Sequence, residues 1–416
     1  LTFNYQWLGS LEEWAFRLLY EVTGHYNYTI LASMGILVIL LGLVVMAWAT
    51  RRLIRTMIGV VMPGESDNLS DLIFSNLQLS KGPKVVVIGG GTGLSVMLRG
   101  LKAKTYNLTA VVTVADDGGS TGRIRQDLDI IAPGDLRNCL VALADKEGLM
   151  EKLFAHRFGG SGNLTGHSFG NLFIAALIEV LGDVEEAMDA TSKVLRVRGK
   201  VIPSSAEKLR LNAEMTDGRI VEGESQIPHA HGKIKRVFTT PEHPRAIQSA
   251  VDAIREADAI VLGPGSLYTS IMPNLCVPDI VQAVRTSKAP KIYICNVMTQ
   301  PGETDDYTVS DHIRAINRQA GGKVIDFVIA NNGDVDPAVL QRYVAHGSHP
   351  VMIDKKEVSQ TGATLVLSDL INKENSATHD TKKLANVLFD LINALRTDLS
   401  PELLHYYLKR YTFNHR

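Results

Sequence analysis

The chain has 416 residues, 43 Lys and Arg against 44 Asp and Glu, a formal net charge of -1 and 45% apolar residues. That length fits two or three domains, or one large α/β domain with appendages, and the apolar share suffices for a sizeable core. The near-zero charge speaks against a general nucleic-acid binder, because neutralising phosphates needs a basic face. The scattered cysteines Cys139, Cys276 and Cys295 include no CxxC pair, so they indicate neither a zinc site nor a disulfide framework, but reduced thiols of a cytosolic compartment.

Residues 1–29 come first, and Leu11–Val22 is amphipathic, as expected of a segment lying on the extracytoplasmic membrane surface. Ile30–Ala49 carries no charge; as a helix it reaches roughly 30 Å, the hydrocarbon thickness. Residues 30–50 are therefore read as a transmembrane helix. A signal peptide has basic residues before its apolar run, whereas Arg51, Arg52 and Arg55 follow this one. The positive-inside rule then places the remainder in the cytoplasm, anchored to the inner (cell) membrane. Trp48 suits the interfacial belt. Residues 51–82 read as a basic flank and a polar linker, with one short helix within Pro63–Pro83.

Residues 83–416 form the soluble part. Lys84–Ile88, Leu108–Val114, Ala259–Leu262, Lys291–Cys295 and Val324–Ile329 are apolar runs rich in β-branched residues, as in a parallel sheet buried on both faces. Helical patterns such as Leu94–Ala103 and Pro244–Glu256 lie between them. This rhythm predicts a Rossmann-like, doubly wound, mostly parallel α/β sheet. Arg210–Val237 breaks the rhythm and predicts a small antiparallel insertion around Asp217-Gly218. Thr381–Thr397 and Pro401–Tyr411 read as C-terminal helices.

Polar loops follow the strands. Gly89-Gly90-Gly91-Thr92-Gly93 joins the first strand to a helix, where backbone N–H groups and the helix dipole suit a phosphate. The spacing is neither GxGxxG nor a Walker A loop, and a tight strand–helix turn is the plain alternative. After the second strand come Asp116 and Asp117, then Gly118–Gly122, Arg123 and Arg125. The acids suit Mg²⁺ or ribose hydroxyls and the arginines suit phosphate, against the alternative of helix capping. Ala132–Leu143, with Asp135, reads by itself as capping chemistry. In Gly166–Asn171, His167, Ser168 and Asn171 either face a ligand or cap a helix. Gly166–Gly170 also matches GxSxG, but a nucleophile elbow needs a strand directly before it and here a loop precedes. Gly263-Pro264-Gly265-Ser266, with Thr269 and Ser270, offers a second set of anion donors or an ordinary capped turn. Asn296, Thr299, Gln300 and Glu303 follow another strand. Ligands of open α/β sheets bind beyond the carboxyl ends of strands, so the loops point jointly to one site.

GGGTGL (Gly89–Leu94), ADDGGSTGR (Ala115–Arg123), PGDLRNCL (Pro133–Leu140), GHSFGNL (Gly166–Leu172), GPGSLYTS (Gly263–Ser270) and NVMTQPGET (Asn296–Thr304), in this order, resemble the YvcK, or gluconeogenesis factor, family, a relative of the 2-phospho-lactate transferase CofD. The resemblance covers about Lys84–Leu370. It implies a Rossmann-like fold, self-association as a homo-oligomer (dimer), and binding of UDP-sugars such as UDP-N-acetylglucosamine. It also implies a regulatory role linking central carbon metabolism and gluconeogenic growth to envelope synthesis and cell shape. By similarity to the transferase branch, Gly89–Gly93 and Asp116–Asp117 surround the phosphoryl and metal region, and Gly263–Ser270 hold the nucleotide phosphates. Asp135 and Asn138 join the ligand-facing set. The ADDGGSTGR run has the YvcK form, and that branch is not known to share the transferase activity.

Three readings follow. The first is a UDP-sugar-binding regulator without catalysis. The second is a transferase of a phosphate-linked group from a nucleotide donor, with Asp116 and Asp117 holding Mg²⁺. The third and least favoured is an NAD-dependent oxidoreductase, since the glycine spacing is off and no hydride-transfer acid/base pair is evident.

Overall fold

The computed structural model describes residues 6–24, 28–61, 77–145, 148–372 and 376–397. The expected C-terminal helix Pro401–Tyr411 and most of the expected linker lie outside these residues. The chain divides into two compact units, Leu1–Asn76 and Leu77–Arg416.

In the first unit, Gln6–Thr23 and Tyr28–Val61 are helices. The second helix continues through the basic flank instead of stopping at residue 50. Its Gly35–Leu53 stretch has a mean hydropathy of 2.0 and is exposed throughout. Among the described residues it is the one helix long and apolar enough to cross a membrane. The Arg52 guanidinium lies 5.2 Å from the Trp48 ring centre, a cation–π contact at the boundary between apolar run and basic flank.

The second unit is built on a seven-stranded parallel sheet. In chain order the strands are β1 (Val85–Gly89), β2 (Leu108–Val112), β3 (Lys200–Pro203), then, after the insertion, β7 (Ala259–Leu262), β8 (Lys291–Ile294), β9 (Phe327–Asn331) and β10 (Thr364–Ser368). The insertion holds β4 (Arg210–Met215), β5 (Ile220–Glu222) and β6 (Ile234–Thr240) as a separate antiparallel sheet, ordered β5-β4-β6. The large sheet is ordered β10-β9-β8-β7-β1-β2-β3. Progress from β1 runs one way across it and progress from β7 the other, so the order reverses between β1 and β7. Right-handed crossovers then place the helices of the two halves on opposite faces. The central strands are consequently buried on both sides: every residue of β1 and β7 is buried. One face is covered by helix Gly91–Leu101, whose Leu94, Met97, Leu98 and Leu101 are buried.

The five strands expected from sequence are all present, with shifted ends. Val324 and Ile325 do not begin β9, because their N–H groups go to the Asn317 side chain and are lost to any ladder. β3 and β10 were not foreseen. Both are edge strands, and β3 ends in Pro203, which an edge tolerates because no neighbour needs its N–H. The hairpin around Asp217-Gly218 is present: β4 pairs antiparallel with both β5 and β6. Cys139 and Cys295 are buried, Cys276 is half-buried, and all three are free thiols.

Candidate functional site

The first glycine loop does not precede its helix; it becomes the helix. Gly91 is the first helical residue, at a φ of 68° that favours glycine. The first-turn amides, which have no intrahelical partner, therefore belong to Gly91, Thr92 and Gly93. Asp135 accepts the Gly91 N–H. A β-carbon on Gly90 would lie 2.5 Å from Asp135 Oδ2 and 2.6 Å from Thr113 Cγ2, so only glycine fits there.

The second glycine loop, after β7, packs directly on the first. A β-carbon on Gly93 would come within 2.8 Å of the Pro264 carbonyl oxygen, and one on Gly265 within 3.3 Å of the Gly90 carbonyl oxygen. The Asn274 amide ties the two together, donating to the Gly89 carbonyl at 3.2 Å and the Ser270 carbonyl at 2.9 Å. Two amide-rich turns thus meet at the reversal point of the sheet, where open α/β folds bind ligands.

Acidic groups line one side. Asp116 Oδ1 accepts the Gly118 N–H at 2.9 Å. Asp117 reaches across to the insertion and accepts from Glu224 N–H at 3.1 Å and Ser225 N–H at 2.9 Å. Burial, then the neighbouring Asp116 charge, pushes Asp135 up to about 7. Burial, followed by Asp116 and Asp117, pushes Glu224 up to about 8. Burial also raises Glu303 to about 7, against the Thr269 hydroxyl bonded to it at 3.1 Å.

The expected Mg²⁺ pair, Asp116 and Asp117, also accepts backbone amides. Both Asp117 oxygens already accept backbone amides, and Asp116 turns one oxygen to its own loop. Among the described residues no three His, Cys, Asp or Glu side chains gather as a metal site. Arg125 differs from expectation. It donates to the Asp116 and Ala115 carbonyls at 2.9 and 3.3 Å and to the Leu209 carbonyl at 2.7 Å, so it is a backbone clamp rather than a free phosphate ligand. Arg123 is exposed and donates to the Thr165 carbonyl.

The Gly166–Asn171 segment joins the site through Ser120. The Ser120 hydroxyl lies 3.3 Å from His167 Nδ1 and accepts from the Ser168 N–H and the Asn171 side-chain amide. Arg137 then links Asn171 to Asn138 at 3.0 and 2.6 Å. Burial, with the Arg123 charge, lowers the pKa of His167. Ser168 is fully buried, its hydroxyl bonded to the Phe154 carbonyl, and no nucleophile elbow forms.

Beyond β8, Gln300 bridges the loops: its side-chain amide donates to the Ser266 hydroxyl at 2.6 Å, and its carbonyl accepts from Asn296 at 3.3 Å. Thr299 and Thr269 are buried and bonded inward, to His349 and Glu303 respectively. Close approaches and hydrogen bonds thus link Gly90 and Gly91 to Asp135, Gly93 to Pro264, and Gln300 to Ser266 and Asn296, while Thr299, Thr269 and Ser168 are buried. Sequence reading did not foresee that Glu224 of the insertion comes beside Asp116 and Asp117; its only local signal was a charged residue beside Gly223. A cavity of about 430 Å³ lies at the opposite end of the strands, lined by Lys84, Tyr106, Lys200 and Glu256 among others, remote from every motif.

A doubly wound parallel sheet with paired glycine loops at its reversal point defines a Rossmann-like α/β protein. A family model described as 2-phospho-L-lactate transferase CofD matches residues 85–371. The Bacillus subtilis gluconeogenesis factor is 50% identical over 311 residues, covering 74% of this chain and 98% of its own. A Nostoc relative is 51% identical over 357 residues, covering 85% of this chain and 78% of its own. A crystal structure of a Bacillus halodurans protein of the UPF0052 family superposes with a TM-score of 0.72 at 48% identity, covering 74% of this chain and 99% of that one. The chain belongs to the gluconeogenesis factor family of CofD-like proteins.

Proposed function

We propose that the second unit binds a nucleotide sugar of the UDP-N-acetylglucosamine class and acts as a regulator, coupling carbon supply to envelope synthesis and cell shape. The observation that carries this is the contact of two amide-rich glycine turns, Gly90–Gly93 and Gly263–Ser266, at the sheet reversal. Turns from adjacent strands suit a diphosphate, which needs several N–H donors converging from more than one direction. Asn296 and Gln300 add neutral hydrogen-bonders at the rim. The first helix pair is the tether: the uncharged run crosses the membrane, and Arg51, Arg52 and Arg55 hold the second unit on the cytoplasmic side.

The test is titration of the detergent-solubilised chain with UDP-N-acetylglucosamine, with GDP and NAD as controls. Saturable binding with ligand recovered intact supports the regulator; absence of binding removes it. Turnover of the ligand would favour the second reading, a transferase of a phosphate-linked group, which the matching CofD model supports. In that reading the glycine turns would hold the donor phosphates and Asp135, poised near neutrality, would hold or move a proton.

A further inference from the structure

One buried amide grips both glycine turns. The chain after Gly263–Ser266 makes a helical turn, Leu267–Ile271, and then a second short turn, Met272–Cys276. Asn274 in the second turn is fully buried. Its side-chain nitrogen donates toward three carbonyl oxygens, of Gly89 at 3.2 Å, Ser270 at 2.9 Å and Ile271 at 3.3 Å. These surroundings fix the orientation of the amide, since an oxygen turned the same way would meet three acceptors. Ser270 in turn lies against both glycine turns. A β-carbon on Gly91 would stand 3.3 Å from the Ser270 hydroxyl oxygen, and one on Gly265 would stand 3.2 Å from the Ser270 Cβ. Asn274 therefore holds the end of β1 together with the residue that touches both turns.

Satisfying carbonyls does not explain this arrangement. The Gly89 carbonyl already accepts the Thr113 N–H at 3.0 Å. The Asn274 Oδ1 atom, by contrast, is buried with no hydrogen-bond partner. An orphaned buried acceptor costs stability, and a leucine of similar bulk would avoid that cost. A buried polar group that persists in this way calls for a reason other than packing. The reason at hand is the fixed spacing of the two turns. Groups that must converge on one ligand lose much of their effect when one of them moves by about 1 Å.

We infer that Asn274 is a positioning residue for the phosphate end of the ligand, which touches no ligand itself and sets the affinity for a diphosphate by fixing the turn after β7 against the turn after β1. This rests on the nucleotide-sugar reading above and deepens it. A diphosphate engages both turns and depends on their spacing, whereas a monophosphate engages one turn and does not.

The detergent-solubilised chain is titrated with UDP-N-acetylglucosamine, UDP and UMP, as wild type, Asn274→Leu, Asn274→Ser and Leu275→Ala. Leu275 is a buried neighbour in the same short turn, so its truncation loosens that turn without touching the amide. Hydrogen exchange at Gly90–Gly93 and Gly263–Ser270 is followed without ligand, and melting curves confirm folding. Asn274→Leu should weaken UDP and the UDP-sugar about tenfold or more and UMP less than about twofold, with faster exchange in both turns. Asn274→Ser, which keeps one donor, should recover part of the loss. Leu275→Ala should melt lower with the ratio of UDP to UMP affinity unchanged. Equal losses for UDP and UMP, no loss in Asn274→Leu, or the same change of ratio in Leu275→Ala overturn the positioning role. If Asn274→Leu fails to fold, Asn274→Ser is read in the same way. A wild-type chain that binds the UDP-sugar but holds UDP no better than UMP overturns the inference and leaves the nucleotide-sugar reading standing. A wild-type chain that binds none of the three removes that reading and the ligand role of Asn274 with it, while exchange in Asn274→Leu still decides whether the amide couples the turns.

Discussion

Gly93 faces the carbonyl of Pro264 so closely that a β-carbon would stand 2.8 Å from that oxygen. The contact joins the turn after β1 to the turn after β7, and the site depends on their not being pushed apart.

Gly93→Ala should therefore both destabilise the second unit, by about 1–3 kcal/mol as overpacking typically does, and lower ligand affinity. Backbone has little freedom to yield at this position. Thermal unfolding with a parallel titration reads both effects; an alanine variant with unchanged melting and affinity would refute the close-packed cradle.

Arg125 offers a discrimination between structure and ligand. Its three backbone acceptors tie the β2 loop to the start of the insertion at Leu209. Hydrogen bonds to charged groups contribute about 1.5–3 kcal/mol each at best. Arg125→Met should lower the melting temperature clearly, by an amount equivalent to about 2–4 kcal/mol. If Arg125 were instead a phosphate ligand, melting would be unchanged and only affinity would fall.

The raised acids set a pH dependence. Asp135 and Glu303 stand at about 7 and Glu224 at about 8 when folded, all above the ordinary carboxyl range. In the unfolded chain they ionise near pH 4. The folded form thus binds more protons between these limits, so their contribution favours folding at low pH and is lost as pH rises through about 7–8. Melting temperature should fall between pH 6 and 8.5, and Glu224→Gln should flatten part of that slope. A slope of opposite sign that the Gln variant leaves unchanged would contradict the placement of these groups.

The proposed membrane tether predicts fractionation. The full chain should sediment with membranes and be released by detergent but not by high salt or alkaline carbonate, because an uncharged spanning helix is held by hydrocarbon rather than by charge. A chain beginning at Leu77 should stay in the supernatant. Release of the full chain by salt alone would mean that the helix does not span.

The sequence by itself determined what is local. Continuous β-branched runs marked the buried central strands, because a strand covered on both faces has no polar side to show. Four glycines in the five residues Gly89–Gly93 marked a turn whose backbone must come close to something else. The long N-terminal apolar helix was legible from its uncharged run alone. What the tertiary structure decided was which partner each polar group takes. Asp117 and Asp116 are neighbours in sequence and looked like a pair, yet Asp117 is committed to amides 107 and 108 residues away. Arg125 found backbone carbonyls, and Thr269, Thr299 and Ser168 turned inward. β3 and β10, at the sheet edges, carried too little apolar pattern to declare themselves. Glu224 comes beside Asp116 and Asp117 only because the insertion folds back onto the loop after β2. Hydrophobic patterning is written along the chain because burial acts on each segment, whereas a hydrogen bond is satisfied by whatever group the fold brings near, and no spacing in the sequence records that distance.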